Sequence, residues 1–326
     1  MGQLLLGALT NYCNMNKEYT LVTGAAGFIG SCVANKLIEL GHNVITIDNL
    51  STGFETNLHD KIIFFKGDVS DEDILESVFK HKITGILHIA GQSSGEVSFD
   101  NPVYDLSSNT QSTLKLLQYA IKVKCKKFVF ASTMSVYGEQ LVDFVDEGNV
   151  ANPVSFYSVG KLASEHYMKI YSRLGINCIA LRLFNVYGPG QNLENMRQGM
   201  VSIFLAQAFA NNSILVKGSG ERFRDMVYID DVVDAFVRSL CSENIGFKIY
   251  NVSTGIKTKV FDVISSIKSM FISEIKVTYE GSTAGDIFGI FGNNQSIKSE
   301  LGWTPKTTFS NGIKEMFDWL IKTKVK

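Results

Sequence analysis

The stretch TGAAGFIG at residues 23–30 decides the fold of this chain. An apolar run at residues 19–22 enters it and an amphipathic run at residues 28–40 leaves it, an order typical of a strand, a tight turn and a helix. The glycines of the stretch let the backbone turn sharply, approach a ligand closely and pack the helix against the strand. The free N–H groups and partial positive charge at the helix start favour a pyrophosphate. Glycines also serve ordinary turns, so the motif needs support from elsewhere.

Support comes from Asp48, which ends a second apolar run at residues 43–47 and lies 18 residues beyond Gly30. A carboxylate at this place accepts both hydroxyls of an adenosine ribose and repels a 2′-phosphate. No arginine or lysine occurs in residues 49–53. The alternative is a solvated aspartate at a strand end. The pattern predicts NAD as the cofactor and disfavours NADP.

Length and composition limit the classes of protein. The chain has 326 residues, of which 45% are hydrophobic and 19% are charged, and a net charge of −1. This length favours two lobes, one large and one small. A net charge near zero gives no electrostatic footprint for nucleic acid or for an anionic membrane, so we expect neither as a partner. No apolar run approaches the roughly 20 residues that span a bilayer.

The cysteines and the first residues suggest a cellular context. The five cysteines are odd in number and lack CxxC spacing, which predicts small buried side chains in a reducing compartment, and hence a cytoplasmic protein without a metal site or disulfide. They are Cys13, Cys32, Cys125, Cys178 and Cys241. Residues 1–14 are mildly apolar without a basic segment, and Met15 is a more natural start. We expect residues 1–14 to be a leader or a cloning or start-site artefact.

Strand-like and helix-like segments alternate along the first part of the chain. The further predicted strands are residues 62–65, 83–89, 127–131 and 176–181, and the predicted helices are 71–80, 102–122 and 155–174. Repeated units with apolar strands predict an α/β fold, a Rossmann-type doubly wound parallel sheet, over residues 15–187. In residues 188–326, strand-like and helix-like segments alternate less clearly. We expect these residues to form mainly a smaller C-terminal substrate-binding lobe. Periodicity leaves open whether some later segments return to the first lobe.

Tyr157 and Lys161 lie four residues apart in a helical stretch and so share one face. An ammonium group beside a phenol lowers the phenol pKa from about 10 toward neutrality, which makes the tyrosine a general base for a sugar or alcohol hydroxyl. Upstream, a strand ends in Ser132 and Thr133, whose hydroxyls would project at the same sheet edge and bind the substrate oxygen. The alternatives are a surface pair of Tyr157 with Lys161 and simple capping of the strand end.

With these motifs in this order, the chain resembles the extended short-chain dehydrogenases/reductases of the nucleotide-sugar epimerase/dehydratase family. The resemblance runs from Tyr19 to about Leu320. The matching stretches are TGAAGFIG at 23–30, DNL at 48–50, GDV at 67–69, HIAG at 88–91, Asn109, STMSVYG at 132–138, Tyr157 with Lys161, RLFNVYGPGQ at 182–191, RDMVYIDD at 224–231 and LGW at 301–303.

The resemblance implies roles at matching positions. Thr133 would hold the sugar hydroxyl, Tyr157 would be the base, and Lys161 would contact Tyr157 and the nicotinamide ribose. The implied NAD-binding residues are Gly24, Gly27, Phe28, Ile29, Gly30, Asp48, Asn49, Asp68, Val69, Ala90, Gly91, Asn109, Ser132, Tyr157 and Lys161. The implied substrate-binding residues are Gln92, Thr133, Asn185 and Arg224, the last two at the nucleotide diphosphate. No metal is implied.

Family members are commonly homodimers that pair through a helix bundle. The corresponding helices here are those predicted at residues 102–122 and 155–174. Four side chains could serve the pairing face or equally belong to the core: Leu114, Leu117, Met168 and Tyr171.

The residues after Thr133 bear on the reaction. Dehydratases and decarboxylases of the family usually carry an acidic residue there, whereas this chain has Met134 and Ser135, which cannot serve as an acid or base at neutral pH. The resemblance therefore implies an NAD-dependent 4-epimerase of a nucleotide sugar, a UDP-hexose or its N-acetylated form, in polysaccharide biosynthesis. C4 would be oxidised to a transient 4-keto sugar and hydride returned to its other face. The alternatives are a 4,6-dehydratase, a 2-epimerase, a decarboxylase and a non-catalytic NAD-binding sensor.

Two departures from the family pattern leave questions open. Related epimerases usually carry an arginine just before the late Gly-Asp pair, whereas Thr283 and Ala284 precede Gly285 here. This implies a different nucleotide or a phosphate contact from elsewhere in the chain. Glu96 follows the fourth strand in a substrate-facing loop, where it would be a substrate contact, a catalytic acid or a solvated side chain.

Overall fold

A computed structural model describes residues 17–282 and 285–324. The leader or artefact expected at residues 1–14 lies outside the described residues. The strands are β1 (Glu18–Thr23), β2 (Val44–Asp48), β3 (Ile63–Lys66), β4 (Lys82–His88), β5 (Lys127–Thr133), β6 (Phe144–Val145), β7 (Asn177–Leu183), β8 (Asn185–Tyr187), β9 (Ser213–Lys217), β10 (Phe223–Arg224), β11 (Met226–Tyr228), β12 (Phe247–Val252), β13 (Thr258–Lys259), β14 (Lys276–Glu280) and β15 (Phe291–Gly292). The α-helices are α1 (Phe28–Glu39), α2 (Glu72–Val78), α3 (Gly95–Asp100), α4 (Pro102–Asp105), α5 (Ser112–Lys122), α6 (Phe156–Ser172), α7 (Met200–Asn211), α8 (Ile229–Cys241), α9 (Val260–Lys268), α10 (Gln295–Leu301) and α11 (Phe309–Lys324).

One large sheet organises the chain. It has seven strands in the order β12–β7–β5–β4–β1–β2–β3, and every neighbouring pair is parallel. The chain builds outward from β1 to β3 on one side and from β4 to β12 on the other, so the order reverses between β1 and β4. A ligand crevice forms at the carboxyl ends of the strands at such a reversal. The predicted Rossmann-type doubly wound parallel sheet is confirmed.

The strands bury both of their faces because successive side chains alternate between two apolar clusters. In β1, Leu21 packs in a cluster with residues of α2, α5 and α6, whereas Val22 packs in a second cluster with residues of α1 and α8. In β5, Phe128 and Val129 divide in the same way. Side chains of a strand point alternately to opposite faces, so a sheet covered on both sides needs apolar residues at nearly every position.

The helix predicted at residues 102–122 is interrupted. Its start at Pro102 is as predicted, and the side chain of Asn101 accepts the Tyr104 N–H at 3.0 Å as a cap. However, a π-helix at Leu106–Gln111 separates α4 from α5. Within it, the Asn109 carbonyl accepts a hydrogen bond from the Thr113 hydroxyl at 2.6 Å. Hydroxyl groups that bond helix carbonyls distort the regular ladder, and π-helical turns are frequent at functional sites.

Short two-stranded sheets build the rest of the chain. They pair β8 with β11, β9 with β14, β10 with β13 and β6 with β15. Two later segments lie with the large sheet, since β12 forms its edge beside β7 and α8 packs against α1. The strand β12 and the helix α8 therefore return to the first lobe. The division into residues 15–187 and 188–326 stays a prediction.

Among the described residues, no helix has the length and apolar composition needed to span a bilayer. In the same part of the chain, no group of three or more His, Cys, Asp or Glu side chains could hold a metal ion. The free cysteines there are Cys32, Cys125, Cys178 and Cys241.

A buried ion pair joins α6 to β7 beneath the carboxyl end of β5. Glu165 accepts two hydrogen bonds from the Arg182 guanidinium, at 3.0 Å from Nε and 2.7 Å from Nη2. The Ser132 hydroxyl donates to the same carboxylate at 2.5 Å. Burial acts to lower the pKa of Arg182, but the Glu165 carboxylate outweighs it and the pKa is raised. The Arg182 guanidinium is therefore cationic, and its hydrogen bonds to Glu165, together with that of Ser132, hold these three elements together.

Replacing Arg182 with methionine would leave the Glu165 carboxylate buried without its cation. We expect the free energy of unfolding to fall by about 3–5 kcal/mol, as when one partner of a buried ion pair is removed. Urea unfolding followed by circular dichroism measures the loss. The matched control is Lys36→Met, at an exposed residue that pairs with Glu39 on the surface. It should leave the unfolding curve unchanged. Equal losses in the two variants would contradict the assigned role of the buried pair.

Candidate active site

The turn between β1 and α1 can be made only with glycine at two of its positions. Gly24 has a φ of +72°, and a Cβ there would lie 2.8 Å from the backbone of Ala90. A Cβ on Gly30 would lie 2.0 Å from the Gly24 carbonyl oxygen. The third glycine, Gly27, is the residue before α1 and carries no capping side chain. The start of α1 is therefore bare and open to a ligand, as a pyrophosphate site requires.

Asp48 is prepared to receive a ribose. It is buried at the end of β2, where its Oδ2 accepts the Ala26 N–H at 2.9 Å and its Oδ1 accepts the Leu50 N–H at 2.8 Å. These bonds fix the carboxylate and leave a second lone pair on each oxygen for a hydroxyl. Asn49 donates to Asp68 at 3.1 Å and so joins the ends of β2 and β3. The residues present fit an adenosine ribose and pyrophosphate, and thus NAD.

A cavity of about 570 Å³ opens at the carboxyl ends of the large sheet, between it and the smaller sheets. Most residues predicted for the site line this cavity. They are Gly24, Gly27, Phe28, Ile29, Gly30, Asp48, Asn49, Asp68, Val69, Ala90, Gly91, Ser132, Thr133, Tyr157, Lys161, Asn185 and Arg224. Gln92 and Asn109 are not on its wall.

Gln92 and Asn109 brace the cavity wall from behind. The Gln92 Nε2 atom donates to the Asp105 carboxylate at 2.8 Å and to the Ser94 carbonyl at 2.7 Å. Asn109 donates to the Gln92 carbonyl at 2.9 Å and to Asp105 at 3.2 Å. Burial raises the pKa of Asp105, although the hydrogen bonds from Gln92 and Asn109 act in the other direction. The predicted substrate and cofactor contacts of Gln92 and Asn109 stay predictions, while their side chains position the loop after β4.

The predicted catalytic side chains meet at the end of β5. The Lys161 Nζ atom donates to the Ala131 carbonyl at 3.1 Å and lies 5.8 Å from the centroid of the Tyr157 ring. The Thr133 hydroxyl accepts the Ser135 N–H at 3.1 Å, which caps the short 3-10 turn that follows β5. Thr133 therefore both caps this turn and lines the cavity. The Ser132 hydroxyl, in contrast, is already engaged by Glu165.

The expectation that Lys161 lowers the pKa of Tyr157 toward neutrality is wrong. Burial raises the pKa of Tyr157 to about 12, although the Thr133 side chain acts in the opposite direction. Burial also lowers the pKa of Lys161 to about 8, with the Asp105 carboxylate opposing it. Spacing alone suggested the interaction, but both groups lose water, which disfavours their charged forms.

On the opposite wall, Asn185 and Arg224 face the cavity. The Asn185 Oδ1 atom is buried and has no hydrogen-bond partner among the described residues, as expected of a group that awaits a ligand. Arg224 does not pair with Asp225; its partner is Asp286, and Asp225 instead accepts from the Thr254 N–H at 2.8 Å. Burial lowers the pKa of Arg224, and Asp286 acts against this.

Glu96 is held in ion pairs at the cavity wall. Its Oε1 atom lies 3.6 Å from the Lys217 Nζ and 3.8 Å from the Arg197 Nη2. Action as a catalytic acid would require both contacts to break. The Glu96 side chain is also 31% exposed, so its role as a substrate contact, a catalytic acid or a solvated side chain stays a prediction.

Several side chains of the site were not predicted from the sequence. Their roles depend on contacts with residues elsewhere along the chain. They are Asp105, Glu165, Arg182, Arg222 and Asp286. Arg182 does lie within the quoted RLFNVYGPGQ stretch, which was the only pointer to it.

Substitution of Lys161 measures how much the burial of its ammonium group lowers the free energy of unfolding. We expect Lys161→Met to raise the free energy of unfolding of the cofactor-free protein at pH 7 by about 1–3 kcal/mol, because burial disfavours the ammonium form. The gain should shrink as the pH rises from about 8 toward the unfolded value of about 10.4, since the folded lysine is then neutral. Urea unfolding at pH 7.0 and 9.5 tests this. Lys169→Met, at an exposed position of α6, is the control, and equal effects in both variants would contradict the prediction.

Comparisons with known proteins agree with this geometry. A model of the NAD dependent epimerase/dehydratase family matches residues 20–253. A putative UDP-glucose 4-epimerase of Methanocaldococcus jannaschii is 36% identical over 302 residues, which are 92% of this chain and 97% of the relative. The structure of the Thermotoga maritima UDP-glucose 4-epimerase with UDP-glucose superposes with a TM-score of 0.90 at 34% identity, covering 94% of this chain and 99% of that chain.

A third comparison extends the range of sugars. The UDP-N-acetylglucosamine 4-epimerase of Methanobrevibacter ruminantium M1, in complex with UDP-N-acetylmuramic acid, superposes with a TM-score of 0.88 at 29% identity and covers 95% of this chain and 100% of that chain. The matches span nearly all of each relative, and the range matched by the family model contains the glycine turn, Tyr157 and Lys161 of this chain. The chain therefore belongs to the NAD-dependent epimerase/dehydratase family.

Proposed function

We propose that this chain is an NAD-dependent 4-epimerase of a nucleotide sugar, a UDP-hexose or a UDP-N-acetylhexosamine. The observation that carries the proposal is the meeting of Thr133, Tyr157 and Lys161 at the end of β5, on a cavity that also contains the Asp48 ribose site. The relatives named above are 4-epimerases of UDP-glucose and of UDP-N-acetylglucosamine, which supports the reaction and leaves both sugars as candidates.

In this proposal the chain moves a proton and positions the sugar. Tyr157, acting as the phenolate after its own proton has gone to solvent, takes the proton of the sugar C4 hydroxyl and becomes a phenol, while the Thr133 hydroxyl holds the same sugar oxygen. NAD, held by the glycine turn and Asp48, would supply the hydride acceptor. Lys161, fixed by the Ala131 carbonyl at 3.1 Å, places its charge beside the phenol. Burial raises the pKa of Tyr157 to about 12, so nearby cationic charge is needed to form the phenolate at neutral pH.

The side chains after Thr133 favour epimerisation over elimination. Loss of water across C5 and C6 needs an acid and a base next to those carbons. Met134 is buried, and the Ser135 hydroxyl is engaged with Thr133 at 3.2 Å. Glu96, the acid of the dehydratase alternative, is paired with Lys217 and Arg197. The simplest remaining outcome is that the 4-keto sugar turns over in the cavity and receives hydride on its other face.

Proton NMR in D2O tests the reaction with UDP-glucose, UDP-galactose and their N-acetyl forms. We expect a new C4 epimer without deuterium on the sugar carbons, because hydride leaves and returns without contact with solvent. Deuterium at C5 in a 6-deoxy-4-keto product would establish the dehydratase instead. Tyr157→Phe should lower turnover about 10²–10⁴-fold, the usual contribution of a general base, while the protein keeps its NAD. A wild-type protein that binds NAD but converts no nucleotide sugar would support the sensor alternative.

We also propose a homodimer, formed by an apolar surface of the α4–α6 region. Leu117 and Met168, considered for this surface from the sequence, are fully buried in the core of the protomer. Leu114 and Tyr171 are partly buried. Within α4, α6 and the π-helix at Leu106–Gln111, the large apolar side chains more than half exposed are Val103, Leu106, Val159 and Ile170. Apolar side chains clustered on a surface are typical of a protein–protein contact.

Light scattering after size exclusion tests the dimer. We expect wild-type protein at twice the protomer mass and the Leu106→Asp/Val159→Asp variant at the protomer mass, because a buried unpaired carboxylate opposes association. Ile256→Asp, at an exposed apolar position outside this region, is the control and should stay dimeric. A monomeric wild-type protein would contradict the proposal.

For the cellular setting we propose the cytoplasm and polysaccharide biosynthesis. The free thiols of the described cysteines suit a reducing compartment. A nucleotide sugar is an activated glycosyl donor, so a glycosyl-transfer reaction would consume the product.

A further inference from the structure

Two arginines converge on one carboxylate at the cavity wall. Arg222 and Arg224 each donate a hydrogen bond to Asp286, one to each carboxylate oxygen. All three residues line the cavity. Two cations share one anion, so this cluster carries a surplus positive charge that faces the space for substrate.

Arg224 has little capacity left for a ligand. Its Nη1 atom donates to the Phe223 carbonyl at 2.6 Å and to the Phe288 carbonyl at 3.1 Å. Its Nη2 atom donates to the Ile287 carbonyl at 3.1 Å and to Asp286. Since a guanidinium has five N–H donors, the Nε donor is the one without a partner among the described residues. The side chain is 8% exposed.

Arg222 keeps an open face. Its Nε atom donates to the Ser219 carbonyl at 3.3 Å, while one N–H of each Nη atom is used, by Asp286 and by the Lys217 carbonyl. Each terminal nitrogen therefore keeps one N–H that has no partner in the part of the chain that the structure describes. The side chain is 15% exposed. The guanidinium lies against Gly218, where a Cβ would be only 3.0 Å from Cζ, so the loop holds the group in one place.

We propose that Arg222 is a ligand of the substrate diphosphate, beside Arg224; this rests on the proposed function. Two free N–H groups on a planar guanidinium suit two phosphate oxygens, the bidentate contact that lysine cannot make. The sequence left open where a phosphate contact would come from, because Thr283 and Ala284 are uncharged. Arg222 supplies it from the segment between β9 and β10. Asp286 holds the guanidinium at the cavity wall before substrate arrives.

The test compares UDP with uridine, which differ in the diphosphate. We expect Arg222→Gln to raise the Kd for UDP about tenfold and Arg222→Lys to raise it about threefold, because the lysine keeps the charge and loses the bidentate contact. The Kd for uridine should stay within twofold. Calorimetry on the NAD-loaded protein measures UDP, and ligand-observed NMR measures uridine. In turnover, Arg222→Gln should raise KM about tenfold with kcat within twofold.

Controls separate this role from a structural one. Arg173→Gln, at an exposed residue at the end of α6, should leave both Kd values unchanged, and the thermal unfolding midpoint of each variant reports on folding. Equal weakening of UDP and uridine by Arg222→Gln would mean that Arg222 only holds the loop, and no weakening would remove it from the site; either result overturns the proposal. Wild-type protein that binds UDP without epimerising any sugar would contradict the proposed function and leave Arg222 as a phosphate ligand. Wild-type protein that binds none of UDP, TDP, GDP and ADP would overturn both.

Discussion

The buried contact between Glu165 and Arg182 holds the catalytic end of the molecule together. Glu165, Lys161 and Tyr157 follow one another at four-residue spacing and so lie along one face of α6. The carboxylate that ends this row binds Arg182 of β7 and the Ser132 hydroxyl of β5. Tyr157 and Lys161 thus face the last residues of β5. The main effect of such a pair is to hold the elements in one arrangement. Its net contribution to the free energy of unfolding is small, whereas the loss of one partner is costly.

Burial places Tyr157 and Lys161 in surroundings that disfavour their charged forms. Burial sets the pKa of Tyr157 at about 12 and that of Lys161 at about 8, so a cation is disfavoured where the proposed chemistry requires one. The carboxylate of Asp105, behind the cavity wall, offsets part of this cost for Lys161. Groups of this kind become effective when ligands displace water and add charge, because electrostatic interactions strengthen in a dry site. Burial of these two groups therefore lowers the stability of the fold at the proposed active site.

The two ends of the cavity have opposite charge. At one end Asp48, anchored by two backbone N–H groups, favours hydroxyls and rejects a 2′-phosphate. At the other end Arg222 and Arg224 exceed the single carboxylate of Asp286 and favour a diphosphate. A ligand set of NAD and a nucleotide sugar matches this polarity, since the ribose of one and the phosphates of the other take the two ends. The Tyr157 phenol lies on the same cavity.

The sequence was enough to predict the parallel sheet and the glycine turn, and it placed Asp48 at a strand end and Tyr157 and Lys161 on one helix face. These features depend on periodicity and on short fixed spacings, which local chain geometry converts directly into structure. The tertiary structure alone decided that Gln92 lies behind the cavity wall, that Tyr157 has a raised pKa and that Asp286 pairs with two arginines. Side-chain direction and loss of water depend on neighbours distant along the chain: the Arg224–Asp286 contact spans 62 residues. No local pattern encodes such a contact.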